Sequence, residues 1–257
     1  MLIAQITDLH LGERLRIDGR DVDPAARLAE AVEHLNRLAP RPDFVVVTGD
    51  LTAEGRPEDY AAVAEGLAGL AMPFTVIPGN HDEREALRAA FPDLAWSEPS
   101  GGFLHHVIAL GPLRLIALDT VVPGESGGAL CAARLDWLRA RLDEAPGQPT
   151  LIAMHHPPVS VGIEEFDAVS CRDGPALAAL LRRYDNVEAV ICGHVHRPIS
   201  LRWAGTVLHV TPSSTYQYAL DLREGQALRP VDEPRWLRLL TWLPESGLVS
   251  HLSPVTA

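Results

Sequence analysis

An α/β fold built on one mixed sheet or two packed sheets follows from three features of this 257-residue sequence. Short runs of Val, Ile and Leu alternate with segments of helical period from Leu2 to Ile77, the pattern of parallel strands joined by crossover helices. Apolar runs broken at Gly111-Pro112 and at Ala204-Gly205 add hairpins, and with them antiparallel strands. After a Pro-rich stretch from Pro230 to Pro234, a β-like tail runs from Trp236 to Leu252. No repeat and no linker interrupts the pattern. One domain over residues 1–257 is therefore expected, with a tail from about residue 230.

Leu2 to Thr7 is a buried strand by its continuous apolar run. Pro24 to Leu38 places Leu28, Val32 and Leu35 at helical spacing, and Asp23 before Pro24 supplies an N-cap and first-turn pair. Phe44 to Thr48 is the second strand, Pro57 to Leu70 the second helix and Phe74 to Ile77 the third strand. Phe103 to Leu110 and Leu113 to Leu118 form a strand pair, and Leu130 to Asp143 is helical. Thr150 to Met154 and Ala189 to Cys192 are strands flanking a helix from Pro175 to Arg183. Ile199 to Thr211 is a hairpin.

Composition narrows the function. The apolar share is 47%, which fits a globular chain with a sizeable core. No apolar run approaches the roughly 20 residues that span a bilayer. Chemistry-bearing residues occur within the first ten positions, which leaves no room for a cleavable leader, and a cytoplasmic location is expected. Three scattered cysteines, Cys131, Cys171 and Cys192, indicate neither a zinc ribbon nor a disulfide framework. A net charge of −12 argues against nucleic-acid polymers and anionic membranes as partners.

The eleven histidines cluster. Five times an apolar strand ends in a metal-capable residue: Asp8-Leu9-His10, Thr48-Gly49-Asp50, Pro78-Gly79-Asn80-His81-Asp82, His155-His156-Pro157-Pro158 and Gly193-His194-Val195-His196. Carboxyl ends of neighbouring strands in an open α/β sheet converge on one crevice. Asp8 with His10, and His194 with His196, stand two apart, so each pair faces one side on extended backbone. Gly49, Gly79 and Gly193 allow sharp turns and close backbone approach. Asp8, His10, Asp50, Asn80, His155, His194 and His196 are too many ligands for one tetrahedral zinc. They suit two divalent ions bridged by Asp50. Mixed nitrogen and oxygen donors admit iron, manganese, zinc or cobalt. Two such ions against two carboxylates leave a locally cationic pocket, which suits a phosphate ester.

The blocks DLH, GDL, GNHD, HHPP and GHVH, in that order between Asp8 and His196, resemble the calcineurin-like metallophosphoesterase superfamily. The resemblance implies a four-layer α/β/β/α sandwich of two mixed sheets flanked by helices. It implies that Asp8, His10, Asp50 and His196 hold one metal, and that Asp50, Asn80, His155 and His194 hold the other. It gives His81 the part of phosphate contact or leaving-group assistant. Within the superfamily the likeness is to bacterial class III cyclic-nucleotide phosphodiesterases and glycerophosphodiesterases. Protein phosphatases follow the bridging Asp with an Asp-Arg pair, whereas this chain reads Asp50-Leu51-Thr52-Ala53. The expected activity is thus hydrolysis of a small phosphodiester. The alternatives are a phosphomonoesterase of the same fold and a non-catalytic scaffold. A scaffold should have lost ligands, and all seven are present. The resemblance also implies a homo-oligomer, built through the chain after Ile199.

Other residues carry weaker expectations. His156 is a substrate contact or a support before Pro157. Asp82 orients its neighbours or caps a helix from Glu83. Arg14, Arg16 and Arg20 belong to a solvated loop. Tyr216 and Tyr218 are candidates to line the cleft. His34, His105, His106, His209 and His251 are structural or on the surface.

Overall fold

The computed structural model describes residues 1–96 and 102–255. In chain order the elements are β1 (Leu2–Ile6), β2 (Leu15–Ile17), β3 (Arg20–Val22), α1 (Pro24–Arg37), β4 (Phe44–Thr48), α2 (Pro57–Leu67), β5 (Phe74–Ile77) and α3 (Arg84–Ala90). There follow β6 (His106–Leu110), β7 (Leu113–Ala117), α4 (Ala132–Glu144), β8 (Thr150–Ala153), α5 (Glu164–Ala168), α6 (Gly174–Leu181) and β9 (Val187–Cys192). The last are β10 (Ile199–Trp203), β11 (Thr206–Val210), β12 (Gln217–Tyr218), β13 (Pro230–Val231), β14 (Trp236–Leu243) and β15 (Gly247–Pro254).

Two mixed sheets result. The first runs β15-β14-β1-β4-β5, with β1, β4 and β5 parallel and β14 antiparallel to β1. The second runs β10-β11-β9-β8-β7-β6, parallel through its centre with antiparallel strands at both edges. The tail expected from about residue 230 is therefore part of the first sheet, with β15 as its edge.

Alternation along the strands explains why their apolar runs are unbroken. Successive side chains point to opposite faces, and here both faces are covered. Val45 and Val47 face α1 to α3 and pack with Leu28, Leu35, Val63 and Leu87. Phe44 and Val46 face the other way and meet Leu115, Ala117, Leu151 and Ile191 of the second sheet. Ile116, Ile152 and Val190 face outward again, against Leu138, Leu142 and Leu177 of α4 and α6. These three apolar interfaces separate four layers, α/β/β/α. Each fully buried Val, Leu or Ile contributes about 1.5–3 kcal/mol.

Local chemistry sets the boundaries. Asp23 accepts hydrogen bonds from Ala25 and Ala26 at 3.0 and 3.1 Å, and Pro24 opens α1. The helix expected over 57–70 ends at Leu67, where Gly66 and Gly69 begin a turn. The strand expected from Phe103 begins at His106, because the Leu104 N–H turns aside to Asp119 Oδ2 at 3.0 Å. The loop carrying Arg16 and Arg20 contains the ribbon β2–β3, with Arg16 bonded to the Gly19 carbonyl. Ala204 and Gly205 both take positive φ, as a two-residue hairpin between twisted strands demands.

A polar seam crosses the apolar middle layer beside the strand ends. Gln5, wholly buried, donates through Nε2 to Thr48 Oγ1 at 2.8 Å and to the Cys192 carbonyl at 2.9 Å. Its Oε1 accepts from Thr211 Oγ1 at 2.6 Å, and Arg238 donates to the same Thr211 at 2.8 Å. Burial pulls the Arg238 guanidinium down to about 10. The seam ties β1 and β4 to β9 and to the end of β11, so the carboxyl ends of both sheets meet at one place.

Candidate metal centre

That meeting place holds all seven predicted ligands. Asp8 and His10 follow β1, Asp50 follows β4, Asn80 follows β5, His155 follows β8, and His194 and His196 follow β9. His196 Nε2 lies 3.4 Å from Asp8 Oδ1 and 3.1 Å from His10 Nε2. Asp50 sits centrally: its Oδ2 is 3.8 Å from His10 Nε2 and 3.2 Å from His155 Nε2. His155 Nε2 is also 3.2 Å from Asn80 Oδ1, and its ring lies 5.1 Å from that of His194. Asp8, His10 and His196 bring ligand atoms within 4.8 Å of one another, and so do Asp8, Asp50 and His155.

The pairs reach the site by a different backbone from the extended one expected. Asp8, His10, Asp50, His194 and His196 all lie at positive φ, between 49° and 72°. Only two other non-glycine residues among those described, Asp18 and Ala204, do so. A left-handed non-glycine residue costs about 1–3 kcal/mol and persists where its surroundings over-determine it. The surroundings here are hydrogen bonds. Asp8 N–H donates to the Gly49 carbonyl at 3.0 Å, His10 N–H to the Asp50 carbonyl at 2.9 Å, and His194 N–H to both Asp8 oxygens at 3.1 Å.

The glycines fit because backbone and side chains crowd there. A Cβ on Gly79 would stand 2.2 Å from Asp50 Oδ1, and one on Gly193 would stand 2.1 Å from Thr7 Oγ1 and 2.7 Å from Asp8 Oδ2.

The donor set asks for cations. His155 Nδ1 and His196 Nδ1 donate to the carbonyls of Thr48 and Tyr216, at 2.8 and 2.9 Å. Their Nε2 atoms therefore face into the cluster, where a cation can replace the proton that the carboxylates attract. His194 Nε2 is buried with no hydrogen-bond partner. Burial pushes His10 and His194 down to about 3, so both are neutral, as ligands must be. Burial also opposes charge on His155, but Asp50 and Asp8 outweigh it and raise the ring to about 9. The carboxylates thus demand positive charge at that spot, and divalent ions satisfy the same demand. Asp50 is burdened by burial, yet His155 and its neighbours hold its carboxyl well below the usual range. The residues fit a two-cation centre.

His81 stands exposed at the mouth, its ring 5.0 Å from that of His10. Its backbone N–H donates to Asp50 Oδ1 at 2.9 Å, and Nδ1 donates to the Ala53 carbonyl at 2.8 Å. Burial of part of the ring opposes protonation, but Asp50 and the Ala53 carbonyl prevail and raise its pKa. His156 is placed differently from a substrate contact. It is wholly buried under the site, its Nδ1 accepting from Thr120 Oγ1 at 2.7 Å and its Nε2 donating to the Ser126 carbonyl at 3.2 Å. Asp82 is no helix cap; Glu83 caps α3 by accepting from the Ala86 N–H. Asp82 instead accepts from the N–H groups of Gly79, Leu51 and Thr52 and from Tyr60 Oη, binding the Asp50 and Asn80 loops together.

Tyr216 and Tyr218 line the cleft as expected, but sequence reasoning missed Ser213, Ser214 and Thr215 beside them. Ser213 Oγ donates to the Asp8 carbonyl and Thr215 Oγ1 to the Leu9 carbonyl, both at 2.7 Å, while Ser214 N–H donates to the Thr7 carbonyl. This strap secures the turn that carries Asp8 and His10. Small hydroxyl residues in a loop give no periodic signal, so nothing marked these three. Above the centre opens a cleft of about 290 Å³, whose walls include Glu13, Glu165, Phe166, Tyr216 and Tyr218. Among the described residues, no Lys or Arg lines it.

A fold of two packed mixed sheets, with Asp and His ligands gathered at their carboxyl ends, defines a phosphoester hydrolase of the metal-dependent class. Residues 1–198 match the family described as Calcineurin-like phosphoesterase, and the chain belongs to that family. It is 38% identical to a probable glycerophosphodiester phosphodiesterase GpdQ of Arcobacter nitrofigilis, over 98% of this chain and 93% of that one. It is 36% identical to a cAMP/cGMP dual specificity phosphodiesterase of Mycobacterium tuberculosis, over 87% and 70% of the two chains. It is 31% identical to the 3',5'-cyclic adenosine monophosphate phosphodiesterase CpdA of Pseudomonas aeruginosa, over 93% and 85%. Among solved structures, a dimetal phosphatase from Danio rerio superposes with a TM-score of 0.66 at 15% identity, over 99% of both chains. That likeness is one of fold.

Proposed function

We propose that this chain hydrolyses small phosphodiesters, of cyclic-nucleotide or glycerophosphodiester type, at a two-cation centre. The observation that carries this is the convergence of seven donors from five strand ends around Asp50. When bound, two divalent ions supply Lewis acidity and a water acidified towards neutral pH. Asp8, His10, Asp50 and His196 would hold one ion and Asp50, Asn80, His155 and His194 the other, Asp50 being common to both sets. Manganese, iron, zinc and cobalt all suit these donors.

The chain's own residues do the rest. The carbonyls of Thr48 and Tyr216 fix two ligand rings in one tautomer. His81, whose ring is anchored on Ala53 and raised in pKa, holds a proton at the mouth where a departing alkoxide needs one. Asn80 and His81 also contact the phosphoryl oxygens. The cleft wall favours a diester. A monoester dianion carries one more charge to neutralise, and among the described residues no Lys or Arg lines the cleft to meet it. The same reading takes the protein to be a single-domain, cytoplasmic homo-oligomer, a state that sedimentation velocity measures.

The test is turnover of metal-reconstituted protein on paired aryl phosphate diester and monoester, then on cyclic nucleotides and glycerophosphodiesters. Faster diester hydrolysis is expected. Inert protein after loading with manganese or iron, or a tenfold preference for the monoester, overturns the proposal.

A further inference from the structure

Glu13 lies three residues beyond His10, in the cleft wall, and belongs to none of the close ligand groups. Two of its surroundings are unusual. Its Oε2 is buried with no hydrogen-bond partner, and so is His10 Nδ1. These two orphaned atoms face each other across 3.7 Å. The other Glu13 oxygen accepts from Tyr216 Oη at 3.5 Å, which holds the carboxylate on this side of the ring.

A buried polar group left unpaired is destabilising. Here one small side-chain movement pairs two of them. The neighbouring ligands show what is missing at His10. His155 and His196 each pass their Nδ1 proton to a backbone carbonyl, at 2.8 and 2.9 Å. His10 has no such carbonyl. Its backbone is left-handed, and its Nδ1 points to the Glu13 side chain instead.

We infer that Glu13 is the positioning residue of His10, its Oε2 taking the Nδ1 proton so that Nε2 is committed to the metal. A carboxylate behind a ligating imidazole fixes its tautomer, orients its ring and raises its basicity. The inference rests on the two-cation reading above. Tyr216 belongs to the same device, since it accepts the His196 Nδ1 proton through its carbonyl and steadies Glu13 through its hydroxyl. One residue thus braces two ligands of the same cation.

The experiment titrates Co²⁺ into metal-stripped full-length protein, followed by calorimetry and by the visible absorption of bound Co²⁺. Wild type is expected to bind two ions. E13A should weaken one site by about 10–100-fold, leave the other unchanged and alter the absorption of the weakened site. E13Q keeps an acceptor oxygen and should fall within a few-fold of wild type. Thermal melts of the stripped proteins check that E13A folds. Two ions bound by E13A with wild-type affinity and spectrum overturn the inference, as does E13Q no better than E13A. Binding is read without turnover. Wild type that takes two ions yet cleaves no diester therefore removes the proposed activity and leaves this assignment standing, whereas wild type that takes no ion removes both.

Discussion

Gly193→Ala tests how closely the two sheets are fitted at the centre. A Cβ at this position would stand 2.1 Å from Thr7 Oγ1, against the 3.4 Å at which ordinary contact begins. The hydroxyl must retreat by about 1.3 Å, the difference of those two distances. It has nowhere easy to go: Thr7 is wholly buried and donates to the Thr48 carbonyl at 3.2 Å. Overpacking of this kind costs about 1–3 kcal/mol. The same Cβ stands 2.7 Å from Asp8 Oδ2, so a ligand moves as well. A misplacement of about 1 Å at a reacting centre costs about 10²-fold in rate. The assays are the urea unfolding midpoint and diester turnover under saturating metal. The double variant T7A/G193A removes the first clash and keeps the second. It should recover most of the stability and little of the turnover. A G193A protein with an unchanged midpoint and full turnover would refute the reasoning, and so would equal recovery of both properties in the double variant.

Three further outcomes are expected. Arg84→Ala leaves Asp119, wholly buried and bonded to Arg84 at 2.5 and 2.9 Å, without its counter-ion; the N–H groups of Leu104 and Val121 still reach it, so a loss near about 3 kcal/mol is expected in denaturant unfolding. His106 is pushed down to about 4 by burial, so the unfolded chain binds its proton first as pH falls. This contribution should be constant above pH 6.5 and fall by about 3 kcal/mol between there and pH 4; H106F also leaves the Thr75 hydroxyl unpaired, so its midpoint is offset from wild type at every pH and the offset should change only in that window. His81→Ala should retain both metals by elemental analysis and lose about 10²–10⁴-fold in turnover, and unchanged turnover removes the ring from the reaction.

Sequence and structure agree where periodicity or residue chemistry carries the signal. Unbroken runs such as Phe44 to Thr48 mark strands buried on both faces, and the order of ligand-bearing strand ends marks the centre. What stayed hidden was made by contacts distant in sequence. The strap from Thr211 to Gln217 reads as an ordinary polar loop until Asp8 and Leu9 are placed against it. The short helix α5 offers only five residues, too few for a period to show. Asp82 reads either as orienting its neighbours or as a cap, because it precedes a helix; Glu83 takes the cap, and the Asp82 carboxylate orients the loops of Asp50 and Asn80. The i, i+2 spacing of Asp8 and His10 gave the right outcome for the wrong reason, since left-handed turns aim both side chains.

Drawing the proposed ligands from the ends of β1, β4 and β5 on one side and of β8 and β9 on the other has a mechanical consequence. Cations seated there would act as rivets through the rim of a two-plate assembly. Stripping them should let the rim gape while the three apolar layers below stay closed. If each ion binds only the closed form, a thousandfold excess over its dissociation constant would clamp the plates with about 4 kcal/mol. The melting temperature should therefore climb with metal concentration, and chelation should open amide exchange at the ligand turns before it reaches Val46 or Ile152.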